Sequence, residues 1–146
     1  MTDKDAVQNA SEAFYAALNS VFNKDPDPMR EVWLQSEEVT AMRPDGGREI
    51  GWKALWLAWQ QAAEVFQGGK VDMTERKIVT LGDFAYETGL EKGVFFPGGR
   101  RVEVAHRATN IYLSGAQGWK IVHHHTDKSD GAIAVFKQNL DTQPLC

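Results

Sequence analysis

With a single cysteine, Cys146, at its last position, the 146-residue chain cannot form an intramolecular disulfide. That fits a reducing compartment. The polar, acidic start Met1-Thr2-Asp3-Lys4-Asp5 reads as neither a signal nor a transit peptide, so a cytoplasmic location is expected. Every apolar run is too short to span a membrane. The balance of 16 Lys and Arg against 20 Asp and Glu leaves a formal charge of −4, and the basic residues form no cluster. Nucleic acid and membrane surfaces are therefore not expected as partners. Gly46-Gly47, Gly68-Gly69 and Gly98-Gly99 are turn pairs rather than a phosphate-binding loop, and the sequence supports neither a Ser-His-Asp nor a Cys-His arrangement. No third His, Cys or carboxylate stands at metal-ligand spacing from the closing histidines, so neither a metal nor a cofactor is expected.

What is present is the composition of one globular domain, with 42% hydrophobic and 25% charged residues. It is read as spanning 1–146, with a core at about 5–127 and a tail at 128–146. Val7, Ala10, Phe14, Ala17, Leu18, Val21 and Phe22 recur at helical spacing and predict a first helix over about 5–23. Asp27-Pro28 opens a short second helix holding Met29, Val32 and Trp33. A strand at Val39–Met42, a turn at Asp45-Gly46-Gly47 and a return at Arg48–Ile50 come next. A third helix, roughly Gly51–Gln67, is striped by Trp52, Leu55, Trp56, Trp59, Ala63 and Phe66 and stopped by Gly68-Gly69.

Four strands joined by short turns follow, at about Val71–Leu81, Phe84–Phe96, Arg101–Leu113 and Gly118–Asp127. Gly89 and Gly93 predict bulges or bends in the second of them, and hence a sheet curved enough to enclose a cavity. A weakly helical stretch, Asp130–Gln138, and a frayed end, Leu140–Cys146, close the chain. Helices first and an antiparallel meander afterwards make an α+β fold.

The last strand concentrates the chemistry. Strict alternation puts Trp119, Ile121, His123 and His125 on one face and Lys120, Val122 and His124 on the other. The indole and the isoleucine mark the first face as the buried one, so His123 and His125 are expected inside and His124 outside. Two readings of the inward pair stand open: hydrogen-bonded core histidines, or rings lining a cavity. His106, one strand earlier, shares a face with Asn110. Tyr15, about 100° around the first helix from Phe14, is expected at the surface or an interface. An inward Arg43 would ask for a small anion, a carboxylate or phosphate; an outward one would be a solvated hairpin residue.

Several segments together resemble the SnoaL-like proteins of the NTF2-like superfamily. They are Phe14-Tyr15-Ala16-Ala17-Leu18-Asn19, Asp27-Pro28-Met29, Val39-Thr40-Ala41-Met42, Gly46-Gly47-Arg48, Gly51-Trp52 and the closing Trp119-Lys120-Ile121-Val122-His123-His124-His125. The closing segment also resembles the association domain of calcium/calmodulin-dependent kinase II. The resemblance implies an NTF2-like cone, with three N-terminal helices packed on a strongly curved antiparallel sheet. It also implies a pocket between the first and third helices and the concave face. Carried over by position, that pocket is lined by Phe14, Trp33, Arg43, Trp56, Tyr86, Asn110, His123 and His125. The superfamily's ketosteroid isomerases fail the comparison twice. Phe14 stands where they carry a tyrosine, and Arg43, before Pro44, stands where they carry the carboxylate base. Its polyketide cyclases use an Asp–His pair; His123 or His125 would supply the base, and no carboxylate can be placed opposite.

The expected function is binding of a small molecule, an anion among the candidates, in the cone pocket. A lyase, cyclase or isomerase with His123 or His125 as general base, and an assembly domain, are the two other readings. On the outer sheet face, Val102, Val104, Ile111, Leu113 and Val122 give more apolar surface than solvent warrants. They predict a homodimer packed sheet to sheet with two-fold symmetry.

Overall fold

The computed structural model describes the backbone of residues 1–141 and the side chains through residue 138. Helix α1 (Asp3–Phe22) starts at a capping box, in which the Thr2 hydroxyl accepts from the Asp5 N–H and the Asp5 carboxylate accepts from the Thr2 N–H. Ser11 and Tyr15 join Val7, Phe14, Leu18 and Val21 on its buried side, so the inward stripe is wider than apolar spacing alone predicted. One turn of helix, α2 (Met29–Val32), then delivers Trp33 to a parallel bridge with Ile121. The hairpin of β1 (Thr40–Met42) and β2 (Arg48–Ile50) precedes α3 (Trp52–Val65). Strands β3 (Phe66–Leu81), β4 (Phe84–Pro97), β5 (Val102–Gly115) and β6 (Gly118–Thr126) follow, and α4 (Asp130–Asp141) completes the described chain. The expected fraying of residues 140–146 falls largely on 142–146, outside the described residues.

The six strands form one open sheet in the order β2-β1-β6-β5-β4-β3. Strands β3 to β6 are an antiparallel meander, and β1 joins β6 in parallel, with Thr40, Ala41 and Met42 opposite His123, His124 and His125. The sheet curls around α1, and the two enclose the main core, in which Phe14 meets Trp33 and Trp59 edge-on. This is the α+β arrangement that the element order predicts, in the cone form that the resemblance implies. No described helix is long and apolar enough to cross a membrane.

Irregularities in the ladders set the curvature. Gly68-Gly69 does not stop α3; that helix ends at Val65 and β3 begins at once. Register shifts between Phe66 and Gly69, and Gly69 is needed because a Cβ there would lie 2.8 Å from the Phe95 Cβ. A second shift follows Thr74, where Glu75 and Arg76 together oppose Gly89. The bend that Gly89 predicted is therefore present, but the extra residue belongs to β3. Gly89 is the point of close approach, where a Cβ would sit 2.7 Å from the Thr74 carbonyl oxygen.

The third shift lies in β6. Tyr112 opposes Ile121 and Ile111 opposes His123, so Val122 has no partner across β5. One unpaired residue reverses the alternation beyond it. Ile121 and His124 consequently both point into the cone and are buried, while His123 and His125 point outward beside Ile111 and Thr109. The expected orientation of all three histidines is thus inverted, because alternation was carried straight through a residue that the ladder skips.

Candidate functional site

The residues expected in the pocket divide into two groups. Phe14, Trp33 and Asn110 are buried inside the cone. Tyr86, His123 and His125 are on the opposite face of the sheet: Tyr86 pairs with Ile111, and Ile111 with His123. The two outer histidines do share a face, with ring centroids 6.1 Å apart, and His123 Nδ1 is 2.6 Å from the Thr40 hydroxyl. Half-burial, then the neighbouring His125, lowers the pKa of His123. Trp56, on α3, is half-buried at the edge of the core, stacked on Trp52 and covered by the Arg30 guanidinium 5.1 Å from its ring centre.

Arg43 does point inward, but its demand for an anion is already met. It holds Glu49 through two bonds of 2.7 and 3.0 Å and Asp45 through one of 2.8 Å. Burial pulls its pKa down, yet the Glu49 bonds and the charges of Asp45 and Glu49 outweigh this and leave it above its ordinary value.

Polar chemistry inside the cone comes instead from residues at buried positions of α1, β4, β5 and β6. Glu87 accepts from Ser11 on α1 (2.7 Å), Asn110 (2.9 Å), Tyr112 (2.8 Å) and Arg76 (3.0 Å). Glu91, four residues further along the same face of β4, accepts from the Tyr15 hydroxyl at 2.8 Å. Asn110 donates to Tyr15 at 3.1 Å, which joins the two carboxylates into one network. Burial first, then the adjacent Glu91 and Glu87 respectively, raise the Tyr15 and Tyr112 pKa values well above the usual range, so both phenols stay protonated. His106 packs against Phe95 with Nδ1 3.5 Å from Glu91 Oε1, and the geometry there makes no hydrogen bond.

His124 stands at the centre of this interior. Its Nδ1 is 2.7 Å from Asn110 Oδ1. The Asn110 amide nitrogen is committed to Tyr15 and Glu87, so Oδ1 is the acceptor and His124 Nδ1 carries the hydrogen. The lone pair is therefore on Nε2, 3.9 Å from Glu91 Oε2 and outside hydrogen-bond range. Burial drives the His124 pKa down to about 4; Glu91 opposes this only in part. The ring is neutral at pH 7.

His124 and Glu91 line a cavity of about 40 Å³, room for two or three waters, whose other walls include Leu18, Trp59, Val71, Phe95 and Val104. Ala132 and Phe136 of α4 cover it, and Arg43 stands at its edge. The arrangement is a proton acceptor facing an apolar chamber, with a carboxylate beside it. Alternation along β4 carried the missed signal: Glu87 and Glu91 share parity with the buried Ala85 and Phe95. His124 had no such signal, since nothing in the sequence marks Val122 as unpaired.

The cone, with a polar interior closed by α1, is the fold of the NTF2-like proteins. Within that class, residues 7–126 match the SnoaL-like domain, and the chain belongs to this family. Among solved structures, it is similar to an NTF2-like protein from Streptomyces avermitilis named as a candidate dehydratase. The two are 22% identical with a TM-score of 0.77, over 87% of this chain and 96% of that one. A nuclear transport factor 2-like superfamily protein from Salmonella enterica is 19% identical with a TM-score of 0.75, over 87% and 93%. The CaMKII hub of S. rosetta is 20% identical with a TM-score of 0.67, over 88% and 98%. Among curated proteins nothing matches the chain.

Because the folded His124 pKa lies below the free value of 6.5, the unfolded chain takes up a proton on acidification that the folded chain refuses. The stability contribution is complete above pH 6.5 and is lost as pH falls to about 4, a change of about 3 kcal/mol. Urea unfolding across that window should show this slope, and His124→Asn should flatten it. Equal slopes in the two proteins would contradict the placement of His124.

Proposed function

We propose that the cone binds a small, neutral, largely apolar carbonyl compound and moves a proton on it, with His124 as general base. The observation that carries this reading is the unpaired Nε2 of a neutral, buried imidazole facing an apolar cavity beside Glu91. In the reaction, Nε2 takes a proton from the carbon next to the carbonyl, and the electron pair moves onto the carbonyl oxygen. The imidazolium so formed is stabilised by Glu91 and returns its proton to another carbon or to a departing hydroxyl. Proton abstraction of this kind is shared by isomerases and dehydratases. An anionic ligand is disfavoured, because the interior already holds Glu87 and Glu91 and Arg43 is paired with Asp45 and Glu49.

Deuterium exchange reads this step without knowledge of the physiological substrate. Acetone, whose four heavy atoms match the cavity volume of about 40 Å³, would be incubated with the protein in D2O and followed by NMR. The wild type should accelerate exchange, and His124→Asn, whose amide nitrogen can still reach Asn110, should lose it by roughly 100-fold. Saturable binding with no exchange above that of the variant would instead make the cone a binding site alone.

The outer face supports a second, independent part of the proposal, a two-fold homodimer. Three of the five residues expected to form it are elsewhere, beginning with Val104, which is buried inside the cone, and Val102, which packs against the core from the same face of β5. Val122 also packs against the core. The apolar patch is instead Leu81, Phe84 and Tyr86, which are 64%, 52% and 38% exposed, together with Ile111 and Leu113 across the strands. A wild type that sediments as a dimer and a Tyr86→Lys variant that sediments as a monomer are expected; a monomeric wild type would refute this.

A further inference from the structure

Glu91 and Asn110 make opposite demands on His124. Glu91 is an acceptor near Nε2, so its field favours the tautomer with the hydrogen on Nε2. Asn110 is the only hydrogen-bond partner of the ring among the described residues, and it can satisfy either tautomer, because a half-turn of its amide exchanges Oδ1 for Nδ2. The direction in which Asn110 points therefore decides the outcome, and His124 itself does not fix that direction.

The far side of Asn110 does fix it. Its second hydrogen-bonding arm reaches Glu87, which is fully buried and ion-paired with Arg76 at 3.0 Å. An ion-paired carboxylate only accepts hydrogen bonds, so it holds the amide nitrogen on its own side and leaves the amide oxygen for His124. Tyr15 acts in the same sense, because its hydroxyl gives its one hydrogen to Glu91 and can only accept from Asn110, but it bears no charge and its hydroxyl can rotate, so the charged Glu87 exerts the stronger hold. Arg76 reaches Glu87 from the β3 bulge, where it and Glu75 together oppose Gly89.

We propose that Arg76 and Glu87 are positioning residues that set the tautomer of His124 through the Asn110 amide, holding Nε2 unprotonated against the pull of Glu91. Neither residue lines the cavity. The proposal rests on the reading of His124 as the base for its catalytic consequence, but not for the tautomer itself. Charge at Glu87 acts as the selector. Replacing it by the isosteric neutral amide leaves the shape in place and weakens the preference, since a glutamine side chain can present either an oxygen or a nitrogen to Asn110 and only the Tyr15 hydroxyl is left to orient the amide.

The test is ¹⁵N NMR of histidine-labelled protein at pH 7, which distinguishes protonated from bare ring nitrogens, with His124 assigned by His124→Asn. Wild type should show His124 with its hydrogen on Nδ1 alone. In Glu87→Gln the signals should shift to a mixture of both tautomers. Arg76→Gln, which leaves Glu87 without its ion pair and lies nearer the surface, provides a second variant should Glu87→Gln fail to fold, and should move the mixture in the same direction. Arg76→Lys should restore the wild-type spectrum. A wild-type ring protonated on Nε2, or a tautomer unchanged in both the Glu87→Gln and Arg76→Gln proteins, would overturn the proposal. The expected spectra without any carbon-acid exchange would uphold the tautomer control while removing its catalytic purpose.

Discussion

The fully buried carboxylate of Glu87 is the group on which the interior of this cone depends. Stripped of partners, a charge in such a position would cost several kcal/mol. Here it is held by donors from three directions: Ser11 on the helix, Arg76 on the neighbouring strand, and Asn110 and Tyr112 on the strand beyond. Those bonds tie α1 to the concave face of the sheet by polar contacts as well as by Phe14, Leu18 and Val21. They also make the interior directional. The Arg76–Glu87 ion pair favours one direction of the Asn110 amide, and the chain of constraints ends at the free lone pair of His124.

Two interruptions of the β-ladder bring these groups together. The β3 bulge places Arg76 within reach of Glu87, and the unpaired Val122 in β6 turns His124 toward Asn110. Without the second one, two half-polar imidazoles would enter the core and the Tyr15–Asn110–Glu87 network would meet no ring. The same residue frees His123 and His125 for the outer face, where they lie beside Tyr86 and Ile111. A single skipped pairing therefore divides the histidine run between the two surfaces of the sheet.

The architecture was legible because its signals are local. Helical spacing gave α1 and α3, the turn glycines gave the meander, and Gly89 marked a bend that is present. The site was legible only where periodicity held. Phe14, Trp33 and Asn110, carried over from the resemblance, are buried inside the cone but do not line its cavity, whereas the faces expected for the histidines after Val122 are reversed. For Arg43 the sequence leaves both directions open, and what draws it inward is the pair of carboxylates in its own hairpin, Asp45 and Glu49. The apolar stripe through Phe14 points Tyr15 to the surface or an interface, but a phenol with a carboxylate across the core belongs inside. Glu87 and Glu91 are not legible as a site from the sequence, because a buried carboxylate is recognisable only once its donors are known, and these come from distant parts of the chain.

The central claim is that His124, and not its two neighbours, is the buried neutral imidazole of the cone. The most direct measurement is the pH titration of its ring signals by NMR in the wild-type protein. His124 should still be neutral at pH 5 and begin to protonate only as pH approaches its lowered value of about 4. A His124 ring that protonates near 6.5, as a solvated histidine does, would contradict the account.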